Sequence, residues 1–397
     1  MTDSFYPVTT MSGNIAQSIV DQLILHGYKV RILTYQYDEQ RSRSCKNIDV
    51  EYVYNWSFYY EVLLAKRINE STTRKDVFLY KAKKIISNMT RNMSAVGVHK
   101  KVVKNINKKL DEMYKKEPFD ILLSIAAPFE FQVANYYYSI ANKNVRSIIY
   151  QVDFWVTLND IGLPGFLRKY RRNNRNKMME RMSSHSEVIM SPVVYNRERF
   201  EGVKTAELPL IRNNTKDLKR SNDEEINVVY AGTLNKKERD PSWIIESLAS
   251  LNNPKIKMHF YHRGDCGSQI DYYAKRFPDM VINHGTVDGD TASKAIADAS
   301  ILLMIGTPKG DQVAGKTFDY VSTGKPIIYV SKSENDINVE FLNDYQLFES
   351  VMEGTNASAV LKRIIQDNSH QVVRFEDLNN KFKDATAKTF YERIIRD

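Results

Sequence analysis

Lys316 and Asp319 stand three residues apart where a polar loop passes into a helix. A lysine in the first helical turn adds a cation to free backbone N–H groups and a positive dipole end, and together these favour an anion. A carboxylate one turn later suits sugar hydroxyls. A diphosphate with a ribose attached would satisfy both. The alternative for Asp319 is a place on a solvated helix face. A second set of cations, Lys236, Lys237 and Arg239, lies just ahead of Pro241 and the helix SWIIESLASL. It follows Gly232, whose missing side chain lets a ligand approach the backbone. Arg239 and Lys237 are the preferred diphosphate contacts of the three, with solvated loop lysines as the alternative.

The elements that must position these groups are legible around them. Ala299–Val330 opens with ASILLMIGT, a short apolar run suited to a buried parallel strand. A loop with Pro308, Gly310 and Gly315 follows, then KTFDYVSTG with helical spacing, then the strand KPIIYV. Gly324 fits the position just past the helix, and Pro326 stops its continuation. The loop therefore lies at the carboxyl end of a strand, where open α/β sheets bind ligands. INVVY at Ile226–Tyr230, KIKMHFYHRGD and MVINHGTV read as further strands. Earlier in the chain IAQSIVDQLILHGYKVRILTY reads as a helix, a stop at Gly27 and a strand. ILLSIAAP, a helix over Phe129–Ala141 and VRSIIYQVDFW then continue the alternation. Alternating strands and helices at this spacing predict α/β architecture with parallel sheets.

The 397 residues suffice for two or three domains. With 42% hydrophobic and 26% charged residues the composition is globular. Two cysteines, Cys45 and Cys266, argue against a disulfide framework and for a reducing compartment. No run of about 18 apolar residues and no basic-then-apolar leader is present, so a cytoplasmic location is expected. The net charge of +9 is local: residues 65–116 hold 15 Lys and Arg against 4 Asp and Glu. Aromatic and apolar residues are interleaved with them, in the pattern of helices lying on an anionic membrane surface; a solvated Lys-rich face is the other reading. No zinc-finger spacing, RNP-type motif or basic-zipper heptad supports a nucleic-acid partner. No His/Cys/Asp cluster has metal-ligand spacing, and Asp288-Gly289-Asp290 reads as a turn.

Gln312-Val313-Ala314-Gly315-Lys316-Thr317-Phe318-Asp319-Tyr320-Val321-Ser322-Thr323-Gly324-Lys325-Pro326-Ile327-Ile328 resembles the donor-site signature of GT-B glycosyltransferases, closest to the family-4-like bacterial surface-polysaccharide group. Two departures stand out. Gly315 replaces the family's Ser, and Asp319 its Glu. The related Glu-x7-Glu pattern falls on Asp311 and Asp319, both one methylene shorter. Ala231-Gly232-Thr233-Leu234 resembles the family's Tyr-Ala-Gly-x-Leu segment, and Gly285-Thr286-Val287 the segment that receives the nucleotide base. Ser12-Gly13-Asn14 resembles the turn that approaches donor phosphates and acceptor, with a plain helix N-cap as the equal alternative. Asp153 matches the Asp of an Arg-Asp-x-Trp strand end, with Val152 in place of the Arg; it either positions an acceptor hydroxyl or caps a loop. Family members open with an apolar strand ahead of Asp-x-Tyr-Pro. Here only Asp3-Ser4-Phe5-Tyr6-Pro7 is seen, so that strand is expected to be missing or shortened.

The resemblance implies a GT-B fold: two Rossmann-like domains with parallel sheets facing an interdomain cleft. Residues 1–210 would form the acceptor domain, 211–226 a polar linker, 227–377 the nucleotide-sugar donor domain, and 378–397 a C-terminal helix packing back toward the first domain. It implies transfer of a sugar from a UDP- or GDP-linked donor to a glycan or polyprenol-linked acceptor, retaining, without metal or cofactor, in bacterial polysaccharide biosynthesis. The enzyme would be cytoplasmic, either free or peripheral at the inner face of the plasma membrane. Lys316, Arg239, Asp311 and Asp153 would be catalytic. Gly232, Thr233, Lys237, Arg263, Thr286, Val287, Gln312, Gly315, Thr317 and Asp319 would bind the donor. The altered signature also fits a non-catalytic GT-B-like subunit or sugar-nucleotide-binding module. An epimerase on the same fold would need inward carboxylates and a histidine that the sequence does not place.

Overall fold

The computed structural model describes residues 1–2, 11–36, 48–55, 94–125, 128–152, 163–190, 204–205, 224–310, 313–369 and 371–396, together with 78–79, 82, 85–87 and 91. Asp153, Asp311 and Gln312 lie outside the described residues. So do the side chain of Ser12, most of residues 65–93 and most of the linker at 211–226. The chain divides into two compact units. One is Met1–Leu208 with Phe390–Asp397, and the other is Pro209–Thr389.

The first unit runs α1 (Met11–Leu25), β1 (Arg31–Tyr35), β2 (Asp49–Val53), α2 (Lys100–Lys116), β3 (Ile121–Ile125), α3 (Phe129–Ala141), β4 (Arg146–Gln151), α4 (Gly165–His185), β5 (Glu187–Met190) and β6 (Lys204–Thr205). β1 pairs with β2, and β3-β4-β5-β6 form a second sheet; every pairing is parallel. Helix α2 shows what the later part of the basic stretch does. Val102, Val103, Ile106, Leu110 and Met113 recur at helical spacing and are buried in the core. The lysines on the other face meet water and acids: Lys109 reaches Glu51 at 2.8 Å, and Lys116 lies near Asp49 and Glu51. The apolar face of α2 thus faces protein, and any lipid contact of this helix is left to its lysines. Asn135 on α3 is buried and fully used. Its amide donates to the carbonyls of Leu122 and Ile148, and its oxygen accepts from Ser147, so it ties the helix to two strands.

The C-terminal stretch read as one helix from Leu378 is broken. It consists of short helical turns at Asn380–Lys383, Ala387–Phe390 and Tyr391–Ile395. Thr386 stands between the first two, and its hydroxyl accepts from the N–H of Thr389, a cap that starts a new turn. The last residues belong to the first unit. Phe390 packs on Tyr150, Tyr391 stacks on His26 with ring centroids 3.8 Å apart, and Arg146 donates to the carbonyls of Ile394 and Ile395.

The second unit runs β7 (Ile226–Leu234), α5 (Ser242–Ala249), β8 (Ile256–Gly264), α6 (Gly267–Arg276), β9 (Val281–Gly285), α7 (Gly289–Asp298), β10 (Ile301–Ile305), α8 (Lys316–Val321), β11 (Ile327–Ser331), α9 (Ile337–Leu342), β12 (Phe348–Met352) and α10 (Ser358–Arg363). Its six strands lie in the order β12-β11-β10-β7-β8-β9, all parallel. The unbroken apolar runs of β10 and β11 are buried at every position, as central parallel strands require. Gly324 follows α8 with φ +67°, and a Cβ there would lie 2.0 Å from the Val373 carbonyl oxygen. Both the backbone conformation and the space exclude a side chain. Gly324→Ala should therefore lower unfolding free energy by about 3 kcal/mol. Urea unfolding checks this, and an unchanged midpoint would show that the 371–375 segment does not press on this turn.

Candidate functional site in the second unit

The candidate site lies where the strand order reverses. From β7 the chain moves outward through β8 and β9, then returns to place β10 on the other side of β7. Such a switch point at the carboxyl ends of the strands is where open α/β sheets hold ligands. Here the two strands also separate. β7 pairs with β8 from Ile226 to Leu234, but with β10 only at Val228 and Val229. Beyond that point the N–H of Ala231 has no strand partner on the β10 side. The hydroxyl of Tyr320, on α8, accepts it at 3.0 Å. Tyr320 is buried, and burial raises its phenol pKa, so the group stays neutral.

The loop from β10 to α8 is held from below by one carboxylate. Asp336 is buried and accepts hydrogen bonds from the Tyr329 hydroxyl (2.7 Å), the Ser331 hydroxyl and the Asn338 N–H (2.9 Å). The loop glycines pack directly on this group. A Cβ on Gly306 would meet the Tyr329 hydroxyl oxygen at 2.4 Å, and one on Gly310 would meet the Asp336 Cα at 2.9 Å. Ala314 donates to the Asn338 side chain at 2.8 Å. The glycines here serve close packing beneath the loop.

Lys316 and Asp319 both stand on the outer side of α8. Their side chains are 44% and 33% exposed and pair with each other at 3.2 Å. A half-exposed pair of this kind is worth at most about 1 kcal/mol, so a polyanion can displace it. Thr317 is fully buried and its N–H is taken by Ala314, so its side chain faces the core. Gly315 caps the helix in ordinary helical conformation. Among the cations after β7, Arg239 is half-buried, and its charge is felt at the hydroxyls of Tyr230 and Tyr329. Lys236 and Lys237 are exposed. Gly232 sits above the Tyr230 ring and Thr233 is exposed, with its carbonyl accepting from the Tyr230 hydroxyl at 2.9 Å. Arg263 and Thr286 are exposed at the ends of β8 and β9, and Val287 is half-buried. The Thr286 hydroxyl donates to the His262 carbonyl, which fixes the Gly285-Thr286-Val287 turn against β8.

In the first unit, Gly13 is buried and Asn14 half-buried in the opening turn of α1. Asp288 is the N-cap of α7, accepting from the Thr291 N–H at 2.9 Å and its hydroxyl at 2.7 Å. Among the described residues no three His, Cys, Asp or Glu side chains are grouped for a metal.

The two motif lysines serve different ends of the sheet. Lys316 follows the carboxyl end of β10. Lys325 lies before β11, is buried, and donates to the carbonyl of Ala299 just ahead of β10. Sequence reasoning missed Tyr320, Asp336 and Asn338. Tyr320 falls one turn after Lys316, but nothing local names its partner 89 residues away.

No protein-family model matches the chain. No curated protein sequence matches it either. Solved structures do resemble it. The N-terminal domain of Candida albicans trehalose-6-phosphate phosphatase is 12% identical, with 100% of this chain and 97% of that chain covered and a TM-score of 0.55. A UDP-glucosyltransferase from Polygonum tinctorium is 10% identical, with 98% and 96% covered and a TM-score of 0.53. WaaG, a glycosyltransferase involved in lipopolysaccharide biosynthesis, is 10% identical, with 98% and 94% covered and a TM-score of 0.48. The first two likenesses and the two parallel-sheet units define the fold class: α/β, GT-B, with two Rossmann-like units.

Two outcomes test this geometry. Tyr320→Phe leaves the Ala231 N–H buried without its acceptor and should cost about 2 kcal/mol in urea unfolding; a neutral change would mean water replaces the phenol. Burial lowers the Lys325 pKa to about 8. The unfolded chain keeps that proton to higher pH, so this group's contribution makes stability rise above pH 8 and supplies no gain below it. Relative to Lys325→Met, the native chain should gain about 1 kcal/mol per pH unit between pH 8 and 9.5. Parallel curves for the two proteins over that range would contradict the buried ammonium.

Proposed function

We propose that this chain is a glycosyltransferase that moves a sugar from a nucleotide diphosphate sugar to a glycan or polyprenol-linked acceptor. The observation that carries the reading is the separation of β7 from β10 at the switch point, with the Lys316–Asp319 pair on one side and the half-buried Arg239 on the other. The GT-B fold class supports it, and one of the solved structures of that fold is a UDP-glucosyltransferase.

In this reading the donor diphosphate breaks the Lys316–Asp319 ion pair and takes the lysine, while Asp319 turns to the ribose hydroxyls. Lys316 and Arg239 then face the charge that grows on the leaving diphosphate as the glycosidic bond breaks. Preset cations at that point lower the barrier because they need no reorganisation. Gly232 and Thr233 bring backbone close to the phosphates, with Lys237 at the rim. Arg263 and the Thr286-Val287 turn lie on the nucleoside side, and Gly315 with the Thr317 backbone opens the helix beneath the phosphates. Asp311 or Gln312 contacts the sugar, Ser12-Gly13-Asn14 the acceptor or phosphates, and Asp153 an acceptor hydroxyl. Transfer is retaining and independent of metal, with a UDP- or GDP-linked donor and bacterial surface polysaccharide as the product class.

The acceptor's lipid would bring the chain to the inner face of the plasma membrane from the cytoplasm. Phe166 and Tyr170 support this: they are 72% and 57% exposed at the start of α4, among Arg168, Lys169 and Arg172. No helix among the described residues is long and apolar enough to cross a membrane.

A thermal-shift screen against UDP-, GDP- and dTDP-sugars tests donor binding, and one of them should raise the melting temperature by several degrees. Lys316→Ala should then weaken that donor by roughly thirtyfold, the worth of one charge-assisted contact. An affinity of the variant for UDP or GDP equal to that of the native chain would remove Lys316 from the site. Binding without donor hydrolysis or transfer would favour a sugar-nucleotide-binding subunit, a role for which Gly315 and the shortened acid Asp319 suffice.

A further inference from the structure

A second group of side chains in the second unit lies on β8 and β9, across β7 from Lys316. His259 stands on the less covered face of β8. Its neighbours Met258 and Phe260 are fully buried on the other face, while Lys257, His259 and Tyr261 are half-buried. His284 joins it from β9 through a break in strand register. Phe260 pairs with Asn283 but Tyr261 pairs with Gly285, so His284 is one residue extra. Gly285 follows at φ +62°, a conformation that favours glycine. The bulge lays the exposed His284 ring flat on Tyr261, with centroids 4.1 Å apart and planes 2° apart. It also brings that ring edge to edge with His259: the centroids are 5.3 Å apart, and His259 Nδ1 lies 3.0 Å from His284 Nε2. A bulge gives up regular pairing to re-aim a side chain, and here it aims one imidazole at another.

The far nitrogen of His259 is held as well. Nε2 lies 3.0 Å from the side-chain oxygen of Asn227 on β7. An amide oxygen only accepts, so Nε2 carries the hydrogen and Nδ1 turns its lone pair toward His284. Histidines that ligate metals are oriented in this way, by an oxygen on the nitrogen away from the ion. Glu225, two residues ahead of Asn227, is exposed, and its charge is felt at His259. Lys257, the cation felt at the same ring, donates its ammonium to the Asp279 carbonyl at 2.6 Å.

We propose that His259 and His284 bind a divalent transition-metal ion of the zinc class, with Glu225 and water completing its coordination and Asn227 orienting His259. Two nitrogens on a tetrahedral zinc, with bonds of about 2.0–2.1 Å, stand about 3.3 Å apart. The exposed His284 ring needs only a small turn to open the pair to that spacing. The two imidazoles are in place beforehand, and the ion draws in the carboxylate. In the metal-free pair His284 Nε2 donates its hydrogen to His259 Nδ1. On binding, His284 takes its other neutral form, with the hydrogen on Nδ1, so both rings ligate uncharged and no proton is lost overall. Imidazole with carboxylate suits zinc, copper and nickel ions, whereas magnesium and calcium take oxygen ligands. The ion ties the edge strand β9 to β8 and has no part in the transfer proposed above.

The test is equilibrium dialysis of the untagged chain against Zn²⁺ in buffer with excess Mg²⁺. The native chain should hold one zinc ion, and so should His185→Gln, which removes an exposed histidine elsewhere. His284→Gln keeps a polar side chain at an exposed position and should weaken zinc binding by about tenfold or more; Asn227→Ala leaves both imidazoles in place and should weaken it by roughly tenfold. Zinc should raise the melting temperature of the native chain and leave that of His284→Gln unchanged. With Cu²⁺ as the probe, the electron paramagnetic resonance spectrum should show coupling to two imidazole nitrogens. A native chain that retains no zinc would overturn the proposal, and so would equal zinc binding by the native chain and His284→Gln. None of these readouts needs a nucleotide sugar, so the result stands apart from the proposed activity.

Discussion

Everything at the candidate site follows from a strand pairing that stops early. β7 and β10 share register at two residues and then part, which leaves the N–H of Ala231 to be satisfied from elsewhere. A buried amide without a partner costs several times what a made bond contributes, so the opening can exist only with a substitute acceptor in place. Tyr320 supplies it from α8. The same residue that keeps the two strands apart therefore fixes where Lys316 and Asp319 stand, because all three share one helix of six residues. The opening and its charged rim are one construction.

The floor beneath that rim is stiff and the rim is loose. Asp336 gathers Tyr329, Ser331 and Asn338, and two glycines let the loop backbone rest on them without a side chain between. Above this, Lys316 and Asp319 hold one another in a pair that water screens. A rigid support with easily exchanged charge contacts lets a ligand take over the ion pair without reshaping the backbone, which keeps the ordering cost of binding low.

Much of this was legible in the sequence, for reasons that are local. β10 and β11 are unbroken apolar runs, and α8 is bracketed by a polar loop and by Gly324 before Pro326, so their order and limits could be read directly. The parts that were not legible depend on distant partners. Phenylalanine and valine in KTFDYV announce a buried face, but that Tyr320 answers an amide in β7 is a fact of topology. Asp336 lies in a polar stretch, SKSEND, that reads as ordinary loop, and only the packing of Gly306 and Gly310 gives it its place. In α2 the pattern of apolar and basic residues marks an amphipathic helix, yet pattern alone does not say whether the apolar side meets lipid or protein. The stretch after Leu378 has helical composition throughout, and the cap at Thr386 breaks it because a hydroxyl competes for the backbone.

The chain leaves the first unit after Leu208 and re-enters it at Phe390. The returning residues are used: Tyr391 stacks on His26, Phe390 packs on Tyr150, and Arg146 grips the carbonyls of Ile394 and Ile395. A nascent chain emerging from the ribosome can assemble Pro209–Thr389 from consecutive residues, whereas the first unit stays unfinished until Phe390–Asp397 emerge. Closure of the two units then runs in the reverse of their order in the chain, and the earlier-made sheets wait, partly uncovered, for a clasp that is made only after the whole of the second unit.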